Sequence, residues 1–380
     1  MGTTGTTQLE TFMVKGKAIR KKTTSQAKVL RAEELLLGEF DALDREKTLF
    51  ILPVSSLEVH GWHLPNGTDM IGASIMAEET GRLFANAHPD WKVVLLPLLN
   101  IGTDELPLPG SVEFSRKTVY RALCEYARSL SKWGFRNLVL TNGHGGLRHN
   151  LALDDACRTC NRKYRMRMVS PGIRAFEYFI FGKKFPEMEA ELGRKLTPAE
   201  KEGLVDIEHA GGWETSIIQH ARGDLVAPDY KKHRSTKVPP AGRALRAARF
   251  VDRIRRFIPV LGTLLGKIGI TAEEGLRIIL VAKKMYVYVG KRDYFTYSGD
   301  PSVARQEIGA AWSRALPKVI LGLIEPVYIT KAVRPSEVVS VYSTITFLRH
   351  DFMTVCAWLA VAATAVLAVW WAWQAGLVAF

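Results

Sequence analysis

Between Ser55 and Gly72 the chain reads SSLEVHGWHLPNGTDMIG, which places Glu58, His60, His63 and Asp69 within twelve residues of one another. Carboxylates and imidazoles are ligands for divalent cations, which need several donors within about 2–2.6 Å of one point. On extended chain, residues two apart point the same way, so Glu58 and His60 can face one spot. GWHLPNG, with Pro65 and Gly67 as breakers, then turns the chain and brings back Asp69, whose two oxygens could bridge two ions. A second polar stretch, TNGHGG, offers His144 among glycines that let backbone approach closely. A third, DIEHAGGWETS, supplies Glu208, His209 and Glu214. Glu214 opens a predicted helix, WETSIIQHA, and has two readings. It is either a first-turn carboxylate favoured by the helix dipole, or a further ligand with His209 as a proton shuttle.

Something must hold these stretches together. Four apolar runs, TLFILPV (48–54), KVVLLPL (92–98), RNLVLTN (136–142) and RMRMVSP (166–171), read as buried strands. Helical segments lie between them near 70–87, 115–133 and 147–163, and RAEELLLGEFDAL (31–43) reads as a helix before the first strand. Near-continuous apolar strands alternating with helices predict an α/β fold, a three-layer α/β/α sandwich around a mostly parallel sheet. Such sheets bind ligands beyond the carboxyl ends of their strands. The polar stretches after strands 48–54 and 136–142 therefore belong at one edge.

The chain has 380 residues, 47% hydrophobic and 24% charged, and four scattered cysteines, which argues against a disulfide framework and for a reducing compartment. The CxxC pair Cys157 and Cys160 lies in a predicted helix and reads as packing. The net charge of +14 is concentrated: residues 231–292 hold sixteen Lys and Arg against Asp252, Glu273 and Glu274. Arg243, Arg246, Arg249, Arg253 and Arg256 recur every three or four residues, on one side of a helix suited to an anionic lipid surface. Nucleic acid is an unlikely partner, because no recognisable binding fold or stacking motif accompanies the charge.

From Phe352 to Phe380 no charged side chain occurs in 29 residues. About 20 apolar residues span a bilayer, and Trp370, Trp371 and Trp373 gather near one end, as interfacial indoles do. Residues 352–374 are thus predicted to be a single-pass C-terminal anchor. Lys331, Arg334 and Arg349 before it favour a cytoplasmic catalytic domain, as does the lack of an apolar signal run at the N-terminus. The predicted organisation is a polar basic leader (1–30), a catalytic domain (31–330) with a basic amphipathic insertion at 231–292, a juxtamembrane linker (331–351) and the span.

Four motifs in order, PVSSLEVHGWHLPNGTD, TNGHGG, DIEHAGGWETS and GDPSVARQEIGAAW, resemble the creatininase family of metal-dependent amidohydrolases. The resemblance implies an α/β/α fold, a homo-oligomer and two divalent ions (zinc, manganese or iron). It also implies Glu58, His60, Asp69 and His144 as ligands, Asp69 bridging, and His209 as the catalytic histidine. It departs at Gly146, where creatininase carries a ligand glutamate, a place Glu214 is expected to take. The tryptophans creatininase presents to its substrate are also missing, at Val205 and in SPGIRAF, so creatinine is an unexpected substrate. The implied reaction is hydrolysis of an amide, cyclic amide or formamide bond in a small-molecule or peptide-like substrate by metal-activated water, with His209 passing a proton to the leaving nitrogen. A serine hydrolase is excluded by the lack of any GxSxG. A membrane-tethered, non-catalytic metal or ligand binder is the competing reading.

Overall fold

The computed structural model describes residues 29–205, 208–233, 235, 242–254, 271, 273, 276 and 297–339. The elements run β1 (Leu30–Arg31), α1 (Leu37–Asp41), β2 (Thr48–Ser55), α2 (Thr68–Ala87), β3 (Lys92–Leu95), β4 (Leu99–Asn100), α3 (Arg116–Lys132), β5 (Asn137–Thr141), α4 (Leu147–Tyr164) and β6 (Arg167–Val169). Then follow α5 (Gly172–Ile180), α6 (Phe185–Leu192), α7 (Pro198–Leu204), α8 (Gly212–Arg222), α9 (Gly242–Ile254) and α10 (Gln306–Tyr328).

The sheet order is β1-β3-β2-β5-β6, with β4 also on β2, and the strand pairings described are parallel. All eight residues of β2 are buried, as expected for a central strand covered on both faces. Its side chains alternate. Phe50, Leu52 and Val54 join a core with Val119 and Leu123 of α3 and Ala152 and Ala156 of α4. Leu49 and Ile51 join another with Met76 and Phe84 of α2, Trp213 of α8 and Leu316 and Ile320 of α10. The α/β/α sandwich expected from the sequence is therefore present.

Two local readings need correction. The stretch 31–43, expected as one helix, is divided into the end of β1, a 3-10 turn at Ala32–Glu34 and the short α1. Leu36 and Leu37 stay exposed and Gly38 weakens helix there, so the apolar run has no continuous core face to follow. The expected strand 92–98 ends at Leu95, and the chain rejoins β2 as β4. Pro53 of β2 lacks the N–H that would pair on this edge, and Pro97 lies in the gap.

Cys157 and Cys160 are buried in α4, as their reading as packing expects, and among the described residues Cys124, Cys157 and Cys160 are free thiols. Within 231–292 the predicted basic helix appears as α9, where Arg246, Arg249 and Arg253 are exposed and Arg249 pairs with Glu273 at 2.8 Å. Most of the rest of that segment lies outside the described residues, as do the leader 1–28 and the span 352–374. Among the described residues no helix is long and apolar enough to cross a membrane.

The sheet and α10 are tied together by one buried hydroxyl. Tyr328 Oη lies 2.9 Å from the Leu138 carbonyl of β5 and 3.0 Å from the Arg167 carbonyl of β6, and shares its proton between them. Tyr328→Phe keeps the ring and removes that donor. It is expected to lower the unfolding free energy by about 1–2 kcal/mol in urea titrations; an unchanged midpoint would show that the two carbonyls do not depend on it.

Candidate metal centre

β2 ends at Ser55, and the next residues form a clipped loop. Leu57 makes an isolated antiparallel bridge to Val112, and Glu58 N donates to the Asn66 carbonyl at 3.0 Å. This closure holds Glu58 and His60 at the carboxyl edge of the sheet and delivers Asp69 on the first turn of α2. β5 ends one strand over and leads to His144. Gly143 is required there: a Cβ would fall 2.2 Å from the Asp69 carbonyl oxygen. The third stretch enters through an antiparallel bridge between His209 and Ser298, and Glu214 follows in the first turn of α8.

The three stretches meet. Asp69 stands in the middle: its Oδ1 lies 3.1 Å from His60 Nε2 and its Oδ2 lies 3.1 Å from His144 Nδ1. Glu58 Oε2 is 2.9 Å from His144 Nδ1, and Glu214 Oε2 is 3.5 Å from His60 Nε2. The His209 ring lies 4.2 Å from the His60 ring, with its Nδ1 3.9 Å from Glu58 Oε2. Ligand atoms fall within 4.8 Å of one another in three groups: Glu58, Asp69 and His144; His60, Asp69 and Glu214; Glu58, His60 and His209. Glu208 Oε1 accepts from Glu214 N at 3.0 Å, and of the other residues named from the sequence Glu58, His60, Asp69, His144, His209 and Glu214 are brought together. His63 is not; it is buried elsewhere, with Nε2 3.0 Å from Thr215 Oγ1.

The outer nitrogens show what the inner ones are for. His60 Nδ1 donates to the Glu58 carbonyl at 2.9 Å, His144 Nε2 to the Thr103 carbonyl at 3.2 Å, and His209 Nε2 to the Val59 carbonyl at 2.8 Å. A carbonyl only accepts, so each outer nitrogen carries its proton and the inner one faces the carboxylates. Metal-ligating histidines are oriented in this way. The donor set, three carboxylates and three imidazoles almost wholly withdrawn from water, fits divalent cations.

Electrostatics agree. Burial alone would depress the His60 imidazole, but Asp69 and then Glu214 outweigh it and hold its pKa at about 10. His144 is likewise raised against its burial by Glu58 and Asp69. The carboxyl of Asp69 is held well below the usual range, His60 overcoming the effect of burial. Glu58 is lowered against burial by His209 and His144. Glu214 goes the other way: burial lifts it to about 7 although His60 opposes. His209 is lowered by burial and by the neighbouring charge on His60.

A fourth loop, 101–110, has no counterpart in the sequence reading. Besides the Thr103 carbonyl it supplies Leu106 N, which donates to Glu58 Oε1 at 2.7 Å. Glu105 lies buried beside them, and burial raises its carboxyl to about 7. Ser56 Oγ donates to Asp69 Oδ2 at 3.2 Å. Gly146, the point of departure from creatininase, leaves no room for a side chain: a Cβ would meet His144 Nε2 at 2.4 Å and Asp104 Cβ at 2.8 Å. Glu214 occupies the cluster from α8, and its Oε2 also accepts from Ala210 N at the start of that helix. The two readings of Glu214 describe one position.

Fold and site together define an α/β/α protein with a buried centre fit for divalent metal. The creatininase family model, described as creatinine amidohydrolase, matches residues 33–324. A mycofactocin precursor peptide peptidase from Mycobacterium ulcerans (strain Agy99) is 28% identical over 239 residues, 60% of this chain and 78% of that protein. A creatinine amidohydrolase from Pseudomonas putida is 25% identical over 258 residues, 65% of this chain and 91% of that protein. A solved structure described as creatininase Mn superposes with a TM-score of 0.53 at 19% identity, over 80% of this chain and all of that one. The chain belongs to the creatininase family, whose members are hydrolases acting on carbon–nitrogen bonds, and it is an enzyme of that kind. The match runs through residues 231–292, and so does not set that segment apart as an insertion.

The raised groups give a pH dependence. His60 and Glu214 both bind protons more tightly in the folded chain than in the unfolded one. Their contribution to stability is therefore complete below the unfolded values and is lost as pH rises through about 7 for Glu214 and about 10 for His60. Metal-free protein is expected to lose thermal stability between pH 7 and 10, while added manganese restores it and releases protons. A melting temperature that is flat across that window without metal would contradict these assignments.

Proposed function

We propose that this chain is a metal-dependent amidohydrolase that cleaves a C–N bond in a small amide or peptide-like substrate. Glu58, Asp69 and His144 would hold one divalent ion and His60, Asp69 and Glu214 a second, with Asp69 shared. The observation that carries this is the position of Asp69, with one oxygen toward each histidine. Bound cations there would supply Lewis acidity, lowering the pKa of water and polarising a substrate carbonyl.

The chain's own groups handle orientation and protons. His209 is held by its Nε2–H bond to Val59, leaving Nδ1 toward the centre. Its lowered pKa keeps that nitrogen unprotonated at neutral pH, ready to take a proton from water and deliver it to the departing nitrogen. Water's oxygen bonds to the carbonyl carbon, the C–N bond breaks, and the amine leaves with the proton. Likeness to a mycofactocin precursor peptide peptidase supports a peptide-like substrate. Position 205 is Val and position 146 has no space for a carboxylate, which weighs against creatinine.

The uncharged stretch 352–380, with Lys331, Arg334 and Arg349 before it, supports tethering with the catalytic domain on the cytoplasmic face. Deleting 352–380 is expected to move the protein from the membrane fraction to the supernatant; a full-length chain already in the supernatant would refute the tether.

Two substitutions separate the roles of the site residues. His209→Ala is expected to lower turnover of small amides and formamides by roughly 10²–10⁴-fold while elemental analysis finds metal content unchanged. Glu214→Gln is expected to lose part of the bound metal. Metal lost with His209→Ala, or full occupancy with Glu214→Gln, would reverse the respective assignment.

A further inference from the structure

A cavity of about 40 Å³ opens beside the centre. Asp69 and Glu214 are among its lining residues, and Met76, Ile173, Phe176, Ile217 and Leu316 supply apolar walls, with Trp312 set edge-on against Phe176. The volume is roughly three times what one water needs by the same measure. It suits three or four carbon atoms, and away from Asp69 and Glu214 much of its lining is apolar.

Gly72 is the informative residue. It lies buried in α2, one turn after Asp69, and lines the same cavity. Glycine inside a helix costs about 1 kcal/mol relative to alanine, so its presence calls for a reason. The usual ones are missing: its φ is not in the left-handed region, and a Cβ built on it meets nothing within 4 Å. What the missing side chain leaves is space, in a cavity that two carboxylates of the centre also line.

We propose that this cavity is the specificity pocket of the hydrolase, that it receives a branched aliphatic group of valine or leucine size next to the scissile amide, and that Gly72 keeps it open. The proposal rests on the metal-hydrolase reading above and adds to it the class of substrate. The shared lining ties the occupant to the centre: a group in the pocket belongs to a molecule whose amide reaches Asp69 and Glu214.

Two hydroxamic acids test this without requiring turnover, because the hydroxamate head chelates metal and only the tail differs. Full-length protein loaded with manganese is titrated calorimetrically with acetohydroxamic acid and with 3-methylbutanohydroxamic acid. The branched tail is expected to bind on the order of tenfold tighter, and Gly72→Val to bring the ratio near one with metal content unchanged. In metal-free protein, Gly72→Ala is expected to hold or raise the melting temperature, since it adds a methyl to open space and improves helix propensity. Equal affinity for the two acids, a tail advantage that survives Gly72→Val, or a lower melting temperature for metal-free Gly72→Ala would each overturn the pocket alone. Failure of acetohydroxamic acid to bind the manganese-loaded protein would overturn the metal centre, and the pocket with it.

Discussion

Three carboxylates buried within a few ångströms of one another repel, and taking each out of water costs several kcal/mol unless positive charge compensates. The arrangement around Asp69 answers that constraint. His60 and His144 approach from opposite oxygens, and both are driven toward the charged form by the carboxylates they face. Without metal the cluster survives by holding protons; with metal the same atoms would become ligands. The rest of the sheet edge serves this balance. The clipped loop after β2 fixes Glu58, the missing Cβ of Gly143 lets the β5 loop touch α2, and α8 begins where Glu214 can reach His60.

Much of this is legible in the sequence. Apolar runs bounded by polar turns reveal the strands, and the polar turns, following strands, reveal their common edge. Residue type carries the signal for Glu58, His60, Asp69 and His144, because acids and imidazoles directly after buried strands have few structural reasons to be there. Glu214 was ambiguous for a physical reason. A helix N-terminus and a cation both attract a carboxylate, and here the side chain meets the Ala210 N–H and the His60 ring together.

The loop 101–110 was not legible. It contributes a carbonyl at Thr103, which every residue carries, and an N–H at Leu106, which every residue but proline carries, so no pattern of side chains marks them. The break between β3 and β4 escapes a reading along one segment because Pro53 in β2 and Pro97 in the gap act jointly. The stretch 31–43 misled for the opposite reason. Its leucines satisfy a helical pattern, yet Leu36 and Leu37 face solvent and local propensity alone does not sustain a helix.

The anchoring of the three imidazoles reaches beyond chemistry. Each ring is pinned by a main-chain carbonyl on one side and faces acidic groups on the other, so a cation gripped at positions 58, 60, 69, 144 and 214 would cross-link segments far apart along the chain. A ligand that binds only the folded form, where these segments meet, adds its affinity to stability. With its described cysteines free, the enzyme would have in this centre a reversible staple, fastened by metal supply and opened by a chelator or by acid.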